Sequence, residues 1–196
     1  MSIDCALHVV PLRGWRRDSS WEDTGLAWTI TSPHIPDVLQ AQLYITTGML
    51  AATFPALSDG VGSTMPFELI GAEFVDESDL AEALNALALP GVRFQATTFR
   101  PFYGKFAGKG LSGVRLRLTD PESYRPLHTG LRILSTLEKL YPGKLEIGEE
   151  AYVARHWGSL RTVKLLREGA APEALEASWA AALAQFGEKR KASLLY

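Results

Sequence analysis

Two carboxylates stand where chemistry could be done. Glu68 lies in PFELIGA, residues 66–72, among apolar neighbours. Apolar surroundings disfavour the charged form of a carboxylate, which suits a general acid. The same setting also suits a carboxylate that caps a backbone or pairs with an arginine, the plainer use. Asp59 sits in a glycine-rich segment, LSDGVGSTMP. Acid/base hydrolysis of a glycoside normally takes two carboxylates flanking one bond, and Glu68 and Asp59 are the candidate pair.

Three loops surround these residues in sequence. In the first, Gly60 and Gly62 precede Ser63 and Thr64. It lacks the spacing and the lysine of a phosphate-binding P-loop, so a turn presenting Asp59, Ser63 and Thr64 to a polar ligand, or a plain connection, fits better. The second, FRPFYGKFAGKG, mixes Arg100, Tyr103, Lys105 and Lys109 with phenylalanines and glycines. Cationic and aromatic groups on such a loop suit a sugar bearing a carboxylate or phosphate; equally, its phenylalanines could simply pack inward. The third, residues 12–35, carries Trp15, Trp21 and Trp28 with little periodicity, and long irregular loops are usually functional. It includes Ser32 and His34, the latter between two prolines, where a histidine more often holds a structural hydrogen bond.

Composition excludes other classes. With 20 basic and 22 acidic side chains the net charge is −2, which offers no bulk attraction to nucleic acid. The single cysteine, Cys5, rules out an internal disulfide framework and a cysteine-based zinc site. His8, His34, His128 and His156 show no helical ligand spacing, so no metal is expected, and no cofactor either. No apolar run is long enough to span a membrane. No export signal is read at the N-terminus, which favours a cytoplasmic setting. No serine-hydrolase elbow surrounds any serine.

The elements that must position these residues follow from periodicity. Cys5–Val10 reads as a short buried strand, with His8 and Cys5 in the core. A helix opens near Pro36, with Leu39, Leu43 and Tyr44 on one face, and ends or bends at Gly48. FELIGAEF suits a strand. A helix over Ser78–Leu89, capped by Ser78 or Asp79, buries Leu80, Leu84 and Leu87. Val92–Phe99 is a strand, and Arg100–Gly113 a loop. Val114, Leu116 and Leu118 alternate with polar residues as in a half-buried strand. Two or three helices close the chain, marked by Leu127–Tyr141, by a short stretch Leu160–Leu166, and by a last one opened by Pro172, with Leu175, Trp179, Leu183 and Phe186 on its face. The expected fold is a single α/β or α+β domain with a mixed sheet flanked by helices.

The order of the unusual segments adds to this. PLRGWRR, DTGLAW, TSPHIP, LSDGVGSTMPFELIGAEFVD, LPGVRF, FRPFYGKFAGKGLSGVRLRLTD, TGLRIL, LYPGKL and LLY follow one another over nearly the whole chain. This string resembles the C-terminal half of the bacterial exo-β-N-acetylmuramidase family, long catalogued as a domain of unknown function. The resemblance implies a glycoside hydrolase that removes terminal N-acetylmuramic acid from peptidoglycan fragments. It implies an N-terminal Rossmann-like domain, a smaller C-terminal α/β domain and an active site in the cleft between them. Residues 1–11 would match the end of the first domain or the crossover from it, and residues 12–196 the second.

The resemblance and the polar chemistry of the loops together set the expected site. Glu68 and Asp59 are carried as the catalytic pair. Trp15, Ser32, His34, Ser63, Thr64, Arg100, Tyr103 and Lys105 are carried as sugar-binding residues. The family's proposed catalytic glutamate lies in the N-terminal half, so a separate Rossmann-like half or a homo-oligomer is the expected partner, with a muramic-acid-containing sugar as ligand. The family loop reads like E-G-R-G-T-T, so Asp59 replaces its glutamate and Val61 its arginine. His34 stands where relatives read S-P-N. The alternative is a stand-alone remnant that binds a sugar or a protein without turnover.

Overall fold

In the computed structural model, which describes residues 5–196, the first α-helix is α1 (Val38–Thr53), started by Asp37, whose carboxylate accepts from the Val38 N–H at 2.7 Å. Gly48 neither ends nor bends it. The helix continues because Gly48 is a packing position: a Cβ there would lie 3.3 Å from the Tyr44 ring and 3.4 Å from Phe67. Leu43 and Leu50 on this helix are fully buried.

The sheet has three strands, β1 (Leu69–Ala72), β2 (Val92–Phe99) and β3 (Leu111–Leu118), in the order β1-β3-β2. Both pairings are antiparallel, so the expectation of a mixed sheet is corrected. The reason lies in the connections. Helix α2 (Glu77–Ala86) crosses from β1 to β2, which run in one direction, and β3 returns between them as their shared partner. Directly opposed residues share a face. Ile70 and Val114 form one such row, and Phe94 with Leu116 another. That face meets α1, α2 and α3 (Pro126–Leu140) in the main core, with Leu80, Leu84, Leu131 and Ile133. Leu69, Phe99 and Leu111 form a smaller cluster against Met65 and Phe106.

Other boundaries shift for physical reasons. Asp76, not Ser78 or Asp79, caps α2, accepting from both of their N–H groups at 2.9 Å. The helix stops at Ala86, so Leu87 falls off the buried stripe and is exposed. Strand β3 begins at Leu111, inside the expected loop, because Leu111–Gly113 pair with Thr97–Phe99. Helix α4 (Glu150–Trp157), unforeseen, is capped by Glu149. It is followed by α5 (Leu160–Arg167) and α6 (Pro172–Arg190). On α6 only the first turns pack: Leu175 is buried, whereas Leu183 and Phe186 are exposed.

The expected strand over Cys5–Val10 is absent. These residues have no regular structure, and Cys5 and His8 are exposed rather than in a core, since no second strand pairs with them. Residues 1–4 lie outside the description. Among the described residues no helix is long and apolar enough to cross a membrane.

Leu84 and Leu87 test the packing directly. Leu84→Ala should lower unfolding free energy by about 3 kcal/mol, and Leu87→Ala by less than about 0.5 kcal/mol, in urea titrations. Equal costs would contradict the exposed placement of Leu87.

Candidate functional site

Glu68 is 5% exposed and both of its oxygens are engaged. Oε1 accepts from Gln40 Nε2 at 2.7 Å, and Oε2 accepts from Arg115 Nε at 2.9 Å, with the second guanidinium nitrogen 2.7 Å away. The network joins α1, the start of β1 and β3. This is the arginine-paired use of the carboxylate. A proton donor needs an acceptor facing it, and the atoms that face Glu68 here, Gln40 Nε2 and the Arg115 guanidinium nitrogens, are donors.

Phe67, just before it, has a φ of 60°, in the left-handed region that bulky residues rarely adopt. Two hydrogen bonds impose this turn. Its N–H donates to the Asp59 carbonyl at 2.6 Å, and its carbonyl accepts from Thr47 Oγ1 at 2.8 Å. The loop is thereby closed on itself, and Asp59 is held at its mouth. Asp59 Oδ1 accepts from the Val61 N–H at 3.2 Å, an Asx-type turn. Burial pushes the Asp59 carboxyl above its ordinary value, against the opposing pull of the Val61 N–H and of His34.

The two glycine-rich loops are packed together. The Phe102 N–H donates to the Gly62 carbonyl at 2.8 Å. Gly62 has a φ of 95°, and a Cβ there would run into the Tyr103 carbonyl. Tyr103 then reaches back to His34, with its hydroxyl 3.0 Å from Nδ1 and the rings stacked. Asp59, His34 and Tyr103 are thus gathered from three separate segments. His34 sits in a tight turn closed by the Ile35 N–H donating to the Ser32 carbonyl at 2.9 Å, which keeps Ser32 beside it.

The remaining expected residues divide. Ser63 is turned inward, its hydroxyl donating to the Gly60 carbonyl at 2.7 Å and accepting from the Met65 N–H at 3.1 Å. Thr64 is exposed on the loop. Lys105 donates to the Pro55 carbonyl at 2.6 Å and braces the second loop. Arg100 is exposed at that loop's base, beside a shallow depression floored by Leu111 and Ser112. Trp15 is elsewhere: its ring meets Tyr196 edge-on at 4.8 Å between centroids.

Sequence reasoning missed two residues. Asp59 lines a cavity of about 270 Å³ together with Tyr152 and His156 of α4, and with Tyr44, Gly48 and Phe67. Tyr152 and His156 are four residues apart, on one helical face, and their rings lie 4.5 Å apart. The signal was their i, i+4 spacing after the capping Glu149, in a stretch too weakly apolar to stand out.

The family models align with this architecture. The model for the C-terminal part of exo-β-N-acetylmuramidase NamZ matches residues 42–196, and the N-terminal model matches residues 1–39. The chain belongs to the NamZ family. The peptidoglycan β-N-acetylmuramidase NamZ of Bacillus subtilis (strain 168) is 36% identical over 195 residues, covering 100% of this chain and 47% of that protein. A DUF1343 family protein from Bacteroides fragilis, known from a crystal structure, matches with a TM-score of 0.73 at 33% identity, over 84% of this chain and 43% of that one. The chain therefore spans about half the length of these relatives. The expected junction near Pro11 lies inside the N-terminal match.

The geometry around Glu68 and Asp59 has two measurable consequences. Glu68→Ala strands Arg115 and Gln40 and should cost about 3 kcal/mol in denaturant unfolding, with Glu68→Gln costing less. Asp59 binds its proton more tightly folded than unfolded, so its contribution to stability falls as pH rises above its ordinary value of 3.8. Asp59→Asn should therefore raise Tm at pH 7, and the gain should vanish below about pH 4 in thermal melts. A gain that persists in acid would contradict the buried carboxyl.

Proposed function

We propose that this chain forms the sugar-lining wall of a peptidoglycan-directed muramidase, with Asp59 as its central polar group. The observation that carries the reading is the desolvated Asp59 carboxyl, held where both glycine-rich loops meet and flanked by His34 and Tyr103. A carboxyl whose charged form is disfavoured by burial suits proton donation to a leaving oxygen. The name of the B. subtilis relative supplies the substrate class, a β-linked N-acetylmuramic acid.

Roles follow from position. Asp59 is the proton donor, His34 and Tyr103 orient the sugar, and Thr64 and Arg100 reach it from the loop rims. Arg100 is the cation for the lactyl carboxylate, because Val61 offers no charge. Glu68 positions the loop and does not touch substrate. A Rossmann-like N-terminal half brings the second carboxylate.

A chromogenic N-acetylmuramic acid glycoside tests this with and without an N-terminal half expressed from a NamZ relative. Hydrolysis is expected in the mixture, with Asp59→Asn lowering kcat/KM by about 10²-fold or more. No hydrolysis in either sample, with a full-length relative active alongside, would sink the hydrolytic reading. Sugar binding without turnover would support the second reading, a binding remnant, which the fully engaged Glu68 oxygens favour.

A further inference from the structure

The cavity shared by Asp59 and His156, about 270 Å³, has room for a sugar substituent beside the ring that carries it. Its floor is Gly48, Ala51 and Ala52, which lie on one face of α1 at positions i, i+3 and i+4. None of these side chains extends past a Cβ, so the floor is apolar and shallowly recessed. Tyr44 and Phe67, meeting edge-on at 4.8 Å, form one wall, and Tyr152 the other.

The rim is polar at two points. One is the Asp59 carboxyl. The other is His156, whose Nδ1 lies 2.9 Å from the Tyr152 carbonyl oxygen. A carbonyl only accepts, so Nδ1 carries the hydrogen. In the neutral ring Nε2 is then the lone-pair nitrogen, and it has no hydrogen-bond partner among the described residues. A free acceptor beside a small apolar recess matches a group with an N–H next to a methyl.

We infer that this cavity is an acetamido pocket, in which His156 Nε2 accepts the N–H of an N-acetylated amino sugar and the acetyl methyl rests on Gly48, Ala51 and Ala52. The inference rests on the sugar-lining reading above and names the substituent that this part of the site selects. His156 is a ligand-contacting, specificity-determining residue. Asp59 borders the pocket and faces the ring.

The test compares N-acetylmuramic acid with muramic acid, which lacks the acetyl group. Binding is followed by amide chemical-shift titration of the full chain, alone and with the N-terminal half present. The wild type should prefer the acetylated sugar by about tenfold or more, the worth of one hydrogen bond plus a buried methyl. His156→Phe keeps a ring without the acceptor and should erase most of that preference. His156→Gln, which restores an acceptor, should recover part of it. Ala51→Leu and Ala52→Leu fill the recess from two positions and should each abolish the preference, with thermal melts confirming that the variants fold. Unchanged discrimination in His156→Phe and in both leucine variants, with hydrolysis intact, would overturn the pocket and leave the sugar-lining reading standing. Failure of the wild type to bind or hydrolyse either sugar in the mixture would remove both.

Discussion

The buried pairing of Glu68 with Arg115 and Gln40 is the constraint on which the site depends. Taking a carboxylate out of water costs several kcal/mol, and here the cost is offset only because three donors from two other elements converge on it. That convergence sets where the chain enters β1. The strand's pairing with β3 and its contact with α1 are specified by the same few atoms. Phe67, one residue earlier, must then turn through the left-handed region, and its two hydrogen bonds hold Asp59 and Thr47 at matching distances. A buried carboxylate with both oxygens met in this way favours one arrangement, since an alternative leaves a buried charge unmet, even though Gln40 Oε1 has no partner among the described residues.

Around that anchor the molecule grades from rigid to open. Gly60, Gly62, Gly71 and Gly113 sit where a Cβ would strike a neighbouring backbone carbonyl, so the loops and strands can approach only with glycine present. At the far end, residues 5–37 contribute almost no fully buried side chain, and Leu7 and Val10 are exposed. The tryptophans there pair locally, Trp21 with Trp28 edge-on at 5.3 Å. The family match divides at a similar place, between residues 39 and 42, so the segment with little burial corresponds to the N-terminal model and the packed domain to the C-terminal one.

Membership of the NamZ family and the geometry bear on function in different ways. The family relates the chain to peptidoglycan muramidases. The geometry separates two carboxylates that looked equivalent: Glu68 has its oxygens occupied by donors, whereas Asp59 is desolvated and borders a cavity. Environment assigns different roles to similar side chains, as acid/base pairs in hydrolases generally do.

Much was legible in the sequence because it depends on local rules. The spacing of Leu131, Leu134 and Leu137 defined α3, alternation defined the half-buried strand at Val114–Leu118, and the segment order identified the family. Helix stops and strand starts that hinge on partners escaped it: Leu111 joins a strand because Phe99 lies opposite, and Gly48 stays helical because two rings press on it. Cys5–Val10 had the composition of a strand but no neighbour to pair with, and composition alone supplies no hydrogen-bond partner. The site divides the same way. Sequence determined that Asp59, Glu68, His34 and Tyr103 are present on polar, glycine-rich segments. Only the tertiary structure decided that Glu68 meets Arg115, 47 residues away, and that Tyr103 meets His34 across 69. A side chain's chemistry is set by what surrounds it, and those surroundings come from distant parts of the chain.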